Sequence, residues 1–160
     1  MAKPKPDNPE PEILNRRARH DYHIAETFEV GIALRGSEVK SVRKGEISLA
    51  EGYIIARTEP YRLDLVDVHI GEYKPAGTGR SQHAPTRART LLAHRREIKK
   101  LEIATQSKGT TIVPLKLYFK NGFAKLLIGL ATGKKEFDKR QSIQKRETQR
   151  DINRAMSRRR

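Results

Sequence analysis

The chain has 160 residues, of which 36% are hydrophobic and 33% charged, with a formal net charge of +15 and a pI near 10.3. That length suits one small domain with a flexible segment or two, and so much positive charge on so modest a core points to a polyanionic partner. The absence of cysteine excludes disulfides and thiolate-bound metal, and no apolar run reaches that of a signal peptide or the roughly 20 residues of a membrane span, so a soluble cytoplasmic protein is expected.

Residues 1–12 hold four of the eight prolines and almost nothing to bury, which predicts a disordered segment. The run Asn15-Arg16-Arg17-Ala18-Arg19-His20 follows as a basic arm able to grip a phosphate backbone. From Tyr22 a two-residue period begins. Tyr22, Ile24, Phe28, Val30, Ile32 and Leu34 share a face broken only by Glu26, which predicts a long half-buried strand or bent strand pair with Gly31 as its bulge. Ser37 is placed to cap a short helix through Glu38–Lys44, which Gly45 stops. Tyr53–Arg57 and Tyr61–Ile70 read as strands around Thr58-Glu59-Pro60, and residues 71–84 as a flexible loop.

Pro85 is predicted to open the clearest helix, with Ala88, Leu91, Leu92, Ile98 and Leu101 as its apolar stripe and Ser107-Lys108-Gly109 as its end. On such a helix Arg87 and Arg89 would point about 200° apart, one toward RNA and one bracing the fold. Asn121-Gly122 then predicts a two-residue type I′ hairpin, since both positions need positive φ. Folding there pairs Phe119 with Ala124, Leu117 with Leu126, Leu115 with Ile128 and Val113 with Leu130. The opposite face carries Lys116, Tyr118 and Lys120 against Phe123, Lys125 and Leu127. Two readings of that face stay open: an RNA surface of rings and ammonium groups, or aromatics packed under a helix with the lysines reaching out.

Residues 134–160 carry eleven basic and four acidic side chains, so nearly half the excess charge sits in a sixth of the chain. The apolar residues there are Phe137, Ile143, Ile152, Ala155 and Met156, too few for a docking stripe. The tail is expected to be disordered when free and helical when bound, with phosphates screening its like charges; the alternative is a plain basic tail that adds nonspecific affinity. About six antiparallel strands, about three helices and this tail make a mainly β fold with flanking α, a small antiparallel OB-like β-barrel. The domain reading is 1–12 disordered, 13–133 an RNA-binding β-barrel, and 134–160 the basic tail.

The five histidines lack zinc spacing, no glycine-rich phosphate loop precedes a helix, and neither a cofactor nor a catalytic residue is assigned. An RNase built on a pair such as His20 and Glu29 is a remote alternative. A ribosomal or RNA-chaperone protein with a nonspecific basic tail is a nearer one.

Five stretches, Asn15–Tyr22 (NRRARHDY), Gly31–Arg43 (GIALRGSEVKSVR), Pro85–Leu92 (PTRARTLL), Leu117–Gly129 (LYFKNGFAKLLIG) and Gly133–Arg140 (GKKEFDKR), occur in an order that resembles the small protein B family, the SsrA-binding proteins of trans-translation. The resemblance implies an OB-like barrel that binds the tRNA-like domain of transfer-messenger RNA and carries it to stalled ribosomes for rescue and nascent-chain tagging. Elongation factor Tu would be engaged indirectly, through the RNA, and the tail would enter the ribosome's decoding centre and empty mRNA channel. A monomer with no membrane partner is expected.

By match, Glu29, Leu92, the arm residues Arg17, Arg19 and His20, and the turn bearing Glu38 and Lys40 fall at RNA-binding positions. Asn15, Arg16 and Tyr22 from the arm, Arg87 and Arg89 from the second basic cluster, and Lys116 and Lys125 from the hairpin complete the candidate set. Lys134, Lys135, Asp138, Lys139 and Arg140 match the ribosome-contacting tail motif, and Ile152 and Met156 resemble apolar residues of the distal tail. Two departures stand out. Ala84-Pro85 replaces the usual Asp-Pro before a helix, at about 1 kcal/mol of lost capping. Phe137 stands where His or Tyr is usual, which keeps stacking on an rRNA base and gives up a hydrogen bond.

Overall fold

A β-strand is stable when neighbours take up its amide groups on both edges, and each long strand of this chain finds two. The computed structural model describes residues 11–74 and 82–157. In chain order the elements are β1 (Ile13–Leu14), α1 (Arg16–Asp21), β2 (Tyr22–Ile32), α2 (Gly36–Arg43), β3 (Ile47–Ser48), β4 (Tyr53–Thr58), β5 (Tyr61–Val66), β6 (His69–Ile70), β7 (Arg89–Leu92), α3 (Arg95–Thr105), β8 (Thr110–Lys120), β9 (Phe123–Gly133) and α4 (Glu136–Ser157). The fold is therefore mainly β with helices, four among the described residues rather than about three. The expected disordered segment lies outside the described residues except for Pro11 and Glu12, as does much of the predicted loop (residues 75–81).

Starting from β8, the pairings run β8–β4–β5–β7–β2–β9 and return from β9 to β8, all antiparallel, so the strand order closes on itself. β1 adds to β8, while β3 and β6 form a separate pair. Inside the ring Val30, Leu63, Leu65, Leu91, Ile112, Leu117, Leu126 and Ile128 make one apolar core.

The hairpin turns at Asn121-Gly122, with φ of 54° and 80° as a type I′ turn requires, and Phe119 faces Ala124 and Leu117 faces Leu126 as predicted. Beyond Lys116 the predicted register fails. Leu115 is bulged, so Pro114 faces Ile128, Val113 faces Gly129 and Ile112 faces Leu130. Proline has no amide hydrogen for the ladder, and a bulge is where a strand tolerates it. β2 has its own irregularity, between Ile24 and Glu26 and not at Gly31.

Each bulge exchanges inward and outward faces. Tyr22, Ile24, Val113 and Leu115 consequently join Ala18, Leu127 and Ala131 in a second apolar cluster on the outside of the ring, beneath α1. Gly129 lies at its centre, where a Cβ would stand 2.9 Å from both Ile24 Cγ2 and Leu115 Cδ1.

No helix begins at Pro85. Residues 85–88 form a turn and an extended stretch, Arg89–Leu92 is a strand, and the helix starts only at Arg95. In Arg-Thr-Leu-Leu the first and third residues are buried and the second and fourth exposed, which is strand alternation. The capping departure at Ala84-Pro85 disappears with that helix, and the Pro85 carbonyl instead accepts from Ile70 N–H and Arg89 Nη2. The predicted strand Tyr61–Ile70 divides at Asp67, whose φ is 56°. Ser37 does not cap α2; Arg35 is the N-cap, its N–H donating to Glu38, while Ser37 Oγ pairs with buried His83.

Extended backbone puts residues two apart on one side, so Arg87 and Arg89 both reach Glu38, where a helix would have divided them. Glu38 Oε1 accepts from Arg87 Nε at 2.9 Å and from Arg89 Nε at 2.8 Å. Arg89 also donates to the carbonyls of Val68, Arg87 and Pro85. The Glu38 and Arg89 side chains are both fully buried. Burial pushes the Glu38 carboxyl up, but Arg87, the Arg35 N–H and Arg89 together bring it below its ordinary value.

Glu38→Gln leaves the Arg89 charge buried without its counterion and is expected to cost about 3–5 kcal/mol in urea denaturation near neutral pH. Because the folded pKa is lowered, this contribution is complete above the ordinary carboxylate range and is lost as pH falls through the depressed value. The gap between wild-type and variant midpoints should narrow in acid; a constant gap would contradict the assignment. Gly129→Val should cost a further, independent 1–3 kcal/mol or so through overpacking, measured the same way.

Candidate nucleic-acid interface

A nucleic-acid surface requires cationic groups facing solvent beside apolar or aromatic ones, on a backbone held rigid from behind. Two such areas occupy the outer side of β2, β9 and β8.

The first is α1. The bulge in β8 turns the carbonyls of Pro114 and Leu115 out of the β9 ladder, and Asn15 takes both, the first through Nδ2 at 2.8 Å and the second through its backbone N–H at 2.8 Å. Asn15 Nδ2 also donates to the Leu49 carbonyl, and Oδ1 accepts from Ala18 N–H as the helix N-cap. With Ala18 buried against the second cluster, Arg16, Arg17 and Arg19 project outward. Arg17 is shared between Asp21 and Glu51, and His20 Nδ1 lies 2.8 Å from Asp21. Tyr22 is half-buried at the edge of the cluster.

The chain returns to α1 where the tail begins. Lys134 N–H donates to the Asp21 carbonyl and Lys134 Nζ to the Arg19 carbonyl. Asp138, in the first turn of α4, has Oδ2 3.5 Å from His23 Nε2. Lys135 and Arg140 are exposed, as are Ile152 and Met156 one turn apart. Phe137 and Lys139 lie in α4, but their side chains are outside the described ones.

The second area is the hairpin's outer face. Leu127 packs beneath α1, whereas Phe123 is 72% exposed, so neither of the two open readings holds for the whole face. Lys116 pairs with Glu12 at 2.9 Å and sits 5.0 Å from the centre of the Tyr118 ring. Tyr118 reaches across β9 to donate its hydroxyl to Glu29 Oε2 on β2. Lys120 and Lys125 stand 3.9 and 4.0 Å from Glu29 Oε1. The Tyr118 hydrogen bond outweighs partial desolvation and, with the two lysines, holds Glu29 below its ordinary pKa. Burial first, and the Glu29 carboxylate second, push Tyr118 up to about 12. Beside Glu29, Gly31 leaves room for Leu92, whose Cβ a side chain there would meet at 3.2 Å; Leu92 is 62% exposed.

The structure thus gathers Arg16, Arg17, Arg19, His20, Tyr22, Glu29, Leu92, Lys116 and Lys125 on neighbouring strands and the helix over them. It takes Asn15, Glu38 and Arg89 out of solvent, with their hydrogen bonds spent inside the chain, and leaves Arg87 mostly occupied by Glu38. Lys40 stands apart on α2, where it and Lys44 lie over the Tyr73 ring at 5.0 and 4.7 Å. The Tyr118–Glu29 bond is a feature that local patterning misses, because the partners are 89 residues apart and a strand separates them. Among the described residues no three His, Asp or Glu side chains are grouped to hold a metal, and no helix is long and apolar enough to cross a membrane.

Comparison with known proteins places these features in context. Residues 12–158 match the family model for SmpB protein. The chain is 49% identical over 157 residues to the SsrA-binding protein of Lactiplantibacillus plantarum, covering 98% of each chain. It is 51% identical over 156 residues to that of Thermobifida fusca, covering 98% of this chain and 95% of the relative. A chain in a solved structure of tmRNA-SmpB in the bacterial ribosome is similar at a TM-score of 0.65 and 45% identity, over 79% of this chain and 86% of that one.

The two kinds of arm residue should separate by experiment. Asn15→Ala is expected to lose about 2–4 kcal/mol of stability, from the cap and two orphaned carbonyls, and to weaken RNA binding through a loosened arm without changing its salt slope. Arg16→Gln with Arg19→Gln should leave the unfolding midpoint unchanged and reduce the slope of log affinity against log salt by about two. Filter binding across a salt series and urea denaturation read both.

Proposed function

The chain belongs to the SmpB protein family, the SsrA-binding proteins, and from that premise we propose that it binds transfer-messenger RNA and acts with it on the ribosome in trans-translation. The observation that carries this reading is a match spanning the rigid strand ring, the arm above it and the basic helix beyond it, 12–158 in all. A relative was solved with transfer-messenger RNA in the ribosome.

The closed strand order is an OB-like barrel, and its outer side takes the tRNA-like domain of the RNA. Arg16, Arg19, His20, Lys116 and Lys125 meet phosphates, while Glu29 and the exposed Leu92 meet nucleosides. Asn15, Glu38 and Arg89 serve the same function from inside, by fixing the arm and the α2 end. Lys40 and Arg87 contact RNA at that α2 end.

α4, 22 residues long and so about 33 Å, is the part that leaves the barrel for the decoding centre and the mRNA channel. Lys134, Lys135, Phe137, Asp138, Lys139 and Arg140 act at its root, and Ile152 and Met156 pack on RNA near its end. Its few apolar side chains cannot offset its like charges in water, so the helix forms fully only against phosphates. The protein delivers its RNA as a monomer, and elongation factor Tu joins through the RNA.

Deleting residues 134–160 should leave the affinity for transfer-messenger RNA within about threefold at a fixed, near-physiological salt and abolish tagging of nascent chains on stalled ribosomes. Gel-shift titration and a reconstituted tagging reaction measure the two. Loss of RNA affinity on deletion would make the tail the general anchor and overturn the division proposed here.

A further inference from the structure

Glu29 is a carboxylate on the outer face, so its charge opposes the ligand. A carboxylate repels phosphate, so among lysines on an RNA-facing surface it either neutralises them or accepts from something other than phosphate. The geometry argues against simple neutralisation. Lys120 and Lys125 stand at 3.9 and 4.0 Å, the outer limit of an ion pair, and both lie nearest Oε1. The close partner is the Tyr118 hydroxyl, which spends its one proton on Oε2.

Tyr118 is itself fixed, with Lys116 over its ring and Lys116 held by Glu12. Oε2 is thereby occupied and the carboxylate held in one orientation, with Oε1 left to accept between two ammonium groups.

We infer that Tyr118 is a positioning residue that holds Glu29 so that Oε1 receives a nucleoside hydrogen-bond donor, a base N–H or a ribose 2′-hydroxyl, while the flanking lysines take the adjoining phosphates. The inference rests on the reading that this face binds transfer-messenger RNA. Both partners stay in the required state at neutral pH, Glu29 ionised and Tyr118 protonated, since one is shifted down and the other up to about 12.

The test uses the full chain and full-length transfer-messenger RNA at one salt concentration. Tyr118→Phe keeps the ring and removes only the hydroxyl. It and Glu29→Ala are each expected to weaken binding about tenfold, and the double variant to be no weaker than Glu29→Ala by more than about twofold. The Glu29 carboxyl, followed by carbon NMR, should titrate at higher pH in Tyr118→Phe than in wild type, a change that a merely structural tyrosine would not produce.

Additive losses, or an unmoved Glu29 titration, would overturn the positioning role. Loss in Glu29→Ala with full binding in Tyr118→Phe would overturn it while leaving the RNA-binding face intact. Full binding in both would remove the face as well. Interference mapping with 2′-deoxy nucleotides, with inosine and with analogues that lack the adenine, cytosine or imino N–H donors distinguishes the donors. A 2′-deoxy effect that vanishes in Glu29→Ala assigns the ribose, an inosine effect that vanishes assigns a guanine amino group, and no difference from wild type at any position overturns the donor assignment.

Discussion

The placement of the arm's proposed RNA contacts on the outer side of the strand ring depends on Asn15 filling the gap that the β8 bulge opens. An antiparallel strand that inserts one residue loses part of its ladder, and the carbonyls of Pro114 and Leu115 would be costly to bury unpaired. Asn15 satisfies both and with its remaining oxygen starts α1. The same bulge sends Val113 and Leu115 outward, which creates the apolar surface on which that helix rests. One inserted residue therefore produces an anchor, a helix start and a platform, and so fixes where Arg16 and Arg19 point. A loop carrying the same arginines would have to be ordered by the RNA, at an entropic cost that this arrangement meets during folding.

At the α2 end the ring is held by charge. Arg89 lies in a short strand between β5 and β2, and its guanidinium ties Glu38 on α2 to the Val68 and Pro85 carbonyls. Two fully buried charges are tolerable because Glu38 accepts from two guanidinium groups and a backbone N–H while Arg89 donates to three carbonyls. Matching a family motif and touching the ligand are thus separable properties. Glu38 and Arg89 sit in matching stretches, yet solvent does not reach them.

Local chemistry was legible where a single conformation was demanded. Asn121-Gly122 specified its turn and the first hairpin pairs, and Gly45 its helix end, because only positive φ serves there. Period two found the strand from Tyr22 and the lysine face of the hairpin. The register below Lys116 was not found from pattern, although Pro114 in a run of β-forming residues carried the signal. Arg89–Leu92 reads as helix in sequence because a four-residue strand beside a true helix offers too few residues to distinguish periods of 2 and 3.6. What decided it was the ring's need for a strand between β5 and β2, a tertiary demand that no local window contains. The Tyr118–Glu29 bond was equally out of reach, since its distance in sequence is set by three strands of topology.

Charge is patterned differently on the ring and arm than on the tail. On the ring and the arm, cations are interleaved with carboxylates: Lys116 with Glu12, Arg17 with Asp21 and Glu51, Lys120 and Lys125 near Glu29. Such a surface keeps a net positive charge but sets it among fixed carboxylates, so geometry as well as charge bears on what it recognises. The tail, residues 134–160, holds eleven cations against four anions, and none of its described side chains belongs to either apolar cluster. Its attraction is long-ranged and falls steeply with salt, so it favours a dense phosphate environment without selecting a sequence. A ribosome supplies that density, whereas contacts that discriminate between RNAs require the fixed geometry that the ring and arm have.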